Sequence, residues 1–415
     1  MGGGGTNGGV TPPIGQTFSF AEAAPQRTAR ARLESIDLLR GLVMVLMALD
    51  HTRDFFSNAT FDPLDLAKTN PALFFTRWIT HFCAPVFIFL AGTGAFLAGG
   101  RGKTRGELAW FLFTRGLWLA FLEVTYVRCL GWEFNFDFHH AAAAVLWAIG
   151  WSMVVLAVLI FLPTWAVTVF GASLIALHNA FDGVAPESWG SLSWLWIVLH
   201  KGGAFNLAPG YTFIAAYPLI PWIGVIAVGY GFGGVLCLES GARRRWMLRV
   251  GIGLTLLFIL LRWVNIYGDP RPWSAQARSL YTGFSFLDCQ KYPPSLLYLL
   301  MTLGPALFLL AWLDGGTPGW LRPMLVFGRT PLFYYLLHLP AIHGLAVLAA
   351  WLRYGQAGWL FSSPFSVHPA PPADNGFPLW AVYLIWIALV VALYPLCKWF
   401  AGAKNRSKSV WLSYL

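Results

Sequence analysis

Charge is what this sequence has least of. Only 11% of its 415 residues are Asp, Glu, Lys or Arg, against 57% hydrophobic residues and 22 Trp. A soluble domain carries about 25% charged residues, so a soluble globular protein is excluded. Cysteine is sparse as well: Cys83, Cys129, Cys237, Cys289 and Cys397 form no C-x-x-C pair and no zinc-type spacing with histidine, which excludes a disulfide framework and a zinc ribbon. They read as small apolar helix residues, with Cys129 and Cys289 able to meet on the outer side of the expected topology. There is no G-x-S-x-G element and no metal-ligand cluster, no internal repeat and no second domain. The net charge of +10 does not imply nucleic acid, because no basic face with interleaved aromatics stands clear of an apolar run; such residues mark cytoplasmic loops and anionic lipid.

What is present is long apolar sequence, with a mean hydropathy of +0.60. A membrane core takes about 20 helical residues. Ten runs qualify, at about 35–56, 73–98, 107–130, 143–162, 164–181, 211–238, 245–264, 294–313, 323–350 and 378–401. The fold class is therefore all-α, a polytopic integral membrane helix bundle. The run "LSWLWIVLHK" (192–201) is too short to span and reads as interfacial or re-entrant. "RTARAR" (27–32), "RGKTR" (101–105), "GARRR" (241–245) and "KNRSK" (404–408) place both termini in the cytoplasm. Residues 1–32 read as a disordered Gly/Pro-rich tail without the apolar core of a signal peptide, residues 33–401 as the membrane domain and 402–415 as a basic tail. "MGGGGT" fits a myristoylation pattern only through its glycines.

One run ends in charge. "SIDLLRGLVMVLMALDHTRDFF" (35–56) carries Asp50, His51, Arg53 and Asp54 in its outer third, although a charge at a helix centre costs about 2.5–3.5 kcal/mol on insertion scales. The spacings i, i+3 and i, i+4 let these groups share a face. An imidazole held by a carboxylate is an oriented base, which gives His51 the base role with Asp50 or Asp54 as orienter; the plainer alternative is an ion-paired helix end at the headgroups. In the next run, "THFCAP" places His81 at similar depth on a descending helix, with Pro85, Ala91, Gly92 and Gly94 permitting a kink and close approach. His139, His140, His178, His200, His338, His343 and His368 fall in the outer half or outside it. Toward the inner end stand Arg40, Arg115 and Arg329, each before Gly or Thr. Guanidinium suits phosphate, so these read as anchors for a nucleotide-bearing donor, the alternative being structural pairing such as Arg40 with Asp37.

"RLESIDLLRGLVMVLMALDHTRDFF", followed by "WITHFCAPVFIFLAGTGAFL" and "VFGRTPLFYYLLHLPAIH", resembles the bacterial membrane proteins related to the catalytic domain of heparan-alpha-glucosaminide N-acetyltransferase. The resemblance covers most of 32–401 and is strongest over the first two helices. It implies a bacterial cytoplasmic-membrane protein that passes an acetyl group from cytoplasmic acetyl-CoA to an amine or hydroxyl acceptor across the bilayer. It carries over Arg40, the Asp50–His51 helix end and His81. In the heparan branch an asparagine lies near the place of His51 and a functional histidine precedes the second helix, whereas the loop 57–72 here has none; His81 is the substitute.

Acyl transfer from a thioester needs a base, His51 or His81; an oxyanion donor, Arg53 or the other histidine; and phosphate anchors, Arg40 and Arg115, with Arg329 completing the inner ring. It needs no metal. The aromatic outer stretches, among them "GWEFNFDFHH" (131–140), Trp189, Trp194, Trp196 and Trp273, suit a carbohydrate acceptor and equally an interfacial belt. Lipid and a homodimer partner complete the expectation. Two other classes stay open: a proton-coupled transporter or flippase, for which "YPLIPW" (217–222) would be a broken helix, and a non-catalytic component of envelope assembly.

Overall fold

The structure is a computed structural model describing residues 33–361 and 370–406. The N-terminal tail with its myristoylation pattern, His368 and the end of the basic C-terminal tail lie outside the described residues.

The apolar runs form helices because in hydrocarbon a backbone must satisfy its own N–H and C=O groups. Among the described residues, eight helices are long and apolar enough to cross a membrane: Pro71–Gly99, Arg105–Trp132, Thr164–Phe181, Leu219–Leu236, Ser240–Val264, Leu296–Leu313, Pro331–Tyr354 and Leu379–Arg406. Two more complete the expected set. Helix α1 (Glu34–Phe56) has 23 residues, about 34 Å at 1.5 Å each, and carries the charged cluster. Helix α5 (Val145–Leu159) is shorter and carries no charged residue.

Proline and short-range chemistry cut several runs into pieces. Pro71–Gly99 consists of α2 (Pro71–Ile79), one 3-10 turn (Thr80–Phe82) and α3 (Cys83–Gly99). Pro85 has no N–H to offer the His81 carbonyl one helical turn back, and the Tyr298 hydroxyl donates to that oxygen at 2.7 Å instead. Arg105–Trp132 begins as α4 (Arg105–Leu122), opened by a Thr104–Glu107 capping box, and ends as a π-helical stretch, Glu123–Trp132. Helix α6 (Thr164–Leu177) closes with a 3-10 turn, His178–Phe181. The expected run 323–350 splits into α12 (Met324–Arg329) and α13 (Pro331–Tyr354) at Thr330, the residue before a proline being pushed out of the helical region.

The run 211–238 departs further. Tyr211–Ala215 is a strand, β3, paired in parallel with β1 (His140–Ala143) and antiparallel with β2 (Gly203–Ala208). Burial alternates along β3, with Phe213 and Ala215 buried and Thr212 and Ile214 less so, as in a half-buried strand. Helix α8 (Leu219–Leu236) starts only after Pro218, with Pro221 in its first turn, where no N–H is needed. "YPLIPW" therefore begins a helix and does not interrupt one. The segment 192–201 forms one turn, α7 (Ser193–Trp196), continued as a π turn, Ile197–Lys201.

Helix α1 packs against α3, α11, α12, α13 and α14, while α3 and α6 flank α8, α4 lies on α5, and α9 (Ser240–Val264) lies on α11 (Leu296–Leu313). The last span is α14 (Leu379–Arg406). The α1–α12 contact is backbone against backbone: a methyl at Gly41 would lie 2.0 Å from the Met324 carbonyl oxygen, and one at Gly328 would lie 1.8 Å from that of Asp37. On the loop side, the buried Arg262 at the end of α9 donates to the carbonyls of Ser285, Phe286 and Asp288 at 2.7–2.9 Å and to that of Arg271 at 2.9 Å. It thereby fixes α10 (Ser279–Leu287) and the turn that follows. All five cysteines are free, so Cys129 and Cys289 form no disulfide; Cys129 instead takes a hydrogen bond from its neighbour Arg128 at 3.0 Å.

Candidate active site

A cavity of about 500 Å³ opens beside the charged end of α1. Its floor is Met47, Asp50, His51 and Asp54 from α1. Arg77, Thr80 and Cys83 come from the broken second span, Trp132 from the π-helical end of the third, Lys201–Gly203 and Ile214–Tyr217 from the sheet region, Lys291 and Tyr292 from the turn held by Arg262, and Tyr335 from α13. The wall at Ala144 and Val145 is set by Glu123, whose buried carboxylate accepts from the Leu146 N–H at 2.6 Å and caps α5.

Three of the four groups predicted at the end of α1, Asp50, Arg53 and Asp54, come together, with Arg77 as a further partner, but neither carboxylate is hydrogen-bonded to His51 as the sequence led one to expect. Asp50 pairs with Arg77 at 2.5 Å on one oxygen and with Arg53 at 3.0 Å on the other. Arg53 also reaches Asp54 at 2.5 Å. The carboxylate of Asp50 is thus engaged by two guanidiniums, and the partner of His51 is another histidine. His51 Nδ1 lies 2.8 Å from His338 Nε2, and His338 Nδ1 lies 3.0 Å from the Tyr334 carbonyl oxygen. A carbonyl can only accept, so His338 Nδ1 carries a proton and its Nε2 is the acceptor. His51 Nδ1–H therefore donates, and His51 Nε2 is left with a free lone pair beside the cavity. Trp132 packs edge-on against the His51 ring at 5.0 Å.

His81 does not meet His51. It is fully buried, makes no hydrogen bond through either ring nitrogen, and stands edge-on to Tyr298 at 5.3 Å; it is not part of the cavity wall. The other histidines divide. His140 joins a buried trio with Glu133 and Arg128 at 2.8–3.1 Å. His343 bridges the carbonyls of Gly131 and Leu360. His139 is exposed beside Asp137, and His178 and His200 lie together at the end of α6.

The inner arginines are partly brought together. Arg40 lies 3.5 Å from Asp37, and Arg329 lies 3.9 Å from the same carboxylate and 3.5 Å from Glu34. Arg115 stands on α4 with its guanidinium 5.9 Å from the Phe111 ring. The glycines that follow two of these arginines serve helix packing: Gly41 abuts Met324, and Gly116 abuts Gly150 of α5.

Sequence reading missed Arg77, Lys201, Lys291, Tyr292 and His338 as lining or relay residues. An intramembrane "TRW" on the second span was a usable signal for Arg77. Lys291 and Tyr292 sit in a loop and carry none. Burial pushes the pKa of the Tyr292 phenol up, but the neighbouring Lys291 and Arg77 cations outweigh it and hold the group below the ordinary tyrosine range. The cavity lining thus carries three cationic residues, Arg77, Lys201 and Lys291, and two carboxylates, Asp50 and Asp54.

The chain is a polytopic helix bundle whose cavity is lined by Asp50, His51, Asp54, Arg77, Lys201 and Lys291 among apolar and aromatic residues. The catalytic-domain family of heparan-alpha-glucosaminide N-acetyltransferase matches residues 32–262, and the chain belongs to that family, an integral membrane acetyltransferase family. No curated protein matches the chain.

Proposed function

We propose that this chain is a transmembrane acyltransferase that takes the acetyl group of cytoplasmic acetyl-CoA and delivers it to an amine or hydroxyl acceptor, a sugar by preference, in the cavity beside His51. The observation that carries the reading is the chain His51–His338–Tyr334 carbonyl, which leaves one basic nitrogen of His51 toward a 500 Å³ cavity.

In this mechanism His51 Nε2 takes the proton of the acceptor as its nitrogen or oxygen attacks the thioester carbonyl. The carbon–sulfur bond then breaks and coenzyme A leaves as a thiolate, which regains a proton from the imidazolium. Arg77, Lys291 and the Tyr292 hydroxyl are positioned along the wall to stabilise the oxyanion, while Arg53 holds Asp50 and Asp54 in place. Arg40 is ten residues before Asp50, about 15 Å along α1, a distance that an extended phosphopantetheine arm spans. Arg40 and Arg329, with Arg115 on α4, are assigned to the donor phosphates, in competition with Asp37 and Glu34.

The test is transfer of labelled acetyl from acetyl-CoA to an amino sugar by the purified full chain. His51→Ala is expected to lower the rate by about 10²-fold or more at unchanged thermal stability. Near-normal transfer by that variant would refute His51 as the base.

A further inference from the structure

Away from the cavity, three side chains from two elements converge without serving the chemistry above. His178 begins the 3-10 turn that ends α6, Asp182 follows it by four residues, and His200 lies in the π turn Ile197–Lys201. We propose that His178, Asp182 and His200 form a binding site for a divalent transition-metal cation of zinc-like preference.

The donor atoms of the three residues all lie within 4.8 Å of one another. Both imidazoles are buried, His178 at 3% and His200 at 1% exposure, and none of their four ring nitrogens makes a hydrogen bond. Such polar atoms are costly to bury unless something satisfies them. His200 Nε2 stands 3.3 Å from Asp182 Oδ1. Two zinc bonds of about 2.0–2.1 Å at the tetrahedral angle put their ligand atoms about 3.3–3.4 Å apart, so this pair already has the required edge, and rotation of the His178 ring closes the third.

The ligand set is chemically coherent. Two neutral imidazoles and one carboxylate suit zinc-like ions and leave a fourth position open. The second Asp182 oxygen accepts from Asn179 Nδ2 at 2.8 Å, and Asn179 Oδ1 accepts from the Leu296 N–H at 2.8 Å; the carboxylate is thus oriented from the start of α11, as outer-shell partners do in metal sites. Lys201 is directed to the Asp182 backbone carbonyl at 3.1 Å, not to the carboxylate. With 22% of its side chain exposed, Asp182 provides the way in. His200 directly precedes Lys201–Gly203 of the cavity wall, so a bound cation ties the end of α6 to that wall.

The experiment is calorimetric titration of the chelator-stripped full chain in detergent with Zn²⁺, paired with visible spectroscopy after loading Co²⁺. One equivalent is expected to bind, with the intense d–d bands of a low-coordinate cobalt site. His178→Ala and His200→Ala should each weaken binding by at least about tenfold, and Asp182→Asn should weaken it as well. His139→Ala, at an exposed position elsewhere, should leave it unchanged. Absence of Zn²⁺ binding by the wild type, or wild-type affinity in the His178→Ala/His200→Ala double variant, would overturn the site. Where a variant does not fold, the cobalt spectrum of the wild type decides: weak octahedral bands alone refute the proposal.

Discussion

Arg77 Nη1 donates to Asp50 Oδ2 at 2.5 Å, joining α2 to α1 across the rim of the cavity. Both side chains are largely buried, and Arg53 holds the other oxygen of the carboxylate. Removing one partner of such a pair leaves an uncompensated charge, which costs about 3–5 kcal/mol, whereas removing both is far milder. Asp50→Asn is therefore expected to lower the thermal midpoint sharply, and Asp50→Asn/Arg77→Gln to recover part of the loss. A double variant less stable than either single one, by thermal unfolding in detergent, would deny the coupling.

His338 positions His51 without lining the cavity. His338→Ala should reduce the maximal rate of acetyl transfer by about 10-fold to 10²-fold with little change in donor affinity, and it should alter the pH profile, because His51 loses the acceptor that fixes its tautomer. His81→Ala should retain much more transfer than His51→Ala, since His81 forms no part of the wall. Equal losses in His51→Ala and His81→Ala, measured at matched stability, would reassign the base.

Tyr298 substitutes for the amide that Pro85 lacks. Tyr298→Phe keeps the packing but leaves the buried His81 carbonyl without its donor, at a cost of about 1–3 kcal/mol. The predicted result is a lower unfolding midpoint, restored when Pro85→Ala is combined with Tyr298→Phe. No restoration would mean that the two groups act separately.

Gly41 lets α1 touch α12. Gly41→Val should lower the yield of folded protein and destabilise what remains by about 1–3 kcal/mol or more, as overpacking does. Gly94, whose added methyl would meet nothing within 4 Å, should accept Ala with no loss. Equal behaviour of the two variants in detergent extracts would remove the close-approach argument.

Arg40 shares Asp37 with Arg329. If it anchors donor phosphate, Arg40→Ala should weaken acetyl-CoA binding by about tenfold, and Arg40→Lys should recover only part, since a point charge lacks the planar fork. Asp37→Asn, which removes the negative charge that both guanidiniums share, should not weaken binding. Calorimetry on the three variants checks the order; equal affinity in Arg40→Ala and wild type would make Arg40 structural.

The membrane class, the helical architecture and the position of the polar cluster were all legible in the chain itself. They follow from local rules: apolar length, the cost of charge in hydrocarbon, and the i, i+3 and i, i+4 neighbours of one helix face, as for Arg53 with Asp50. Strand β3 was not legible, because "YTFIA" continues an apolar run and only its pairing with β1 and β2 separates it from the helix after Pro218. The partners of the cluster were beyond reach for the same reason. Asp50 finds Arg77 across a loop, His51 finds His338 from nearly three hundred residues away, and His178 finds His200 across the connection between α6 and the turn Ile197–Lys201. Side-chain pairing within one helix is dictated by its pitch, which sequence specifies; pairing between helices depends on which faces turn toward each other, and packing of the whole bundle decides that.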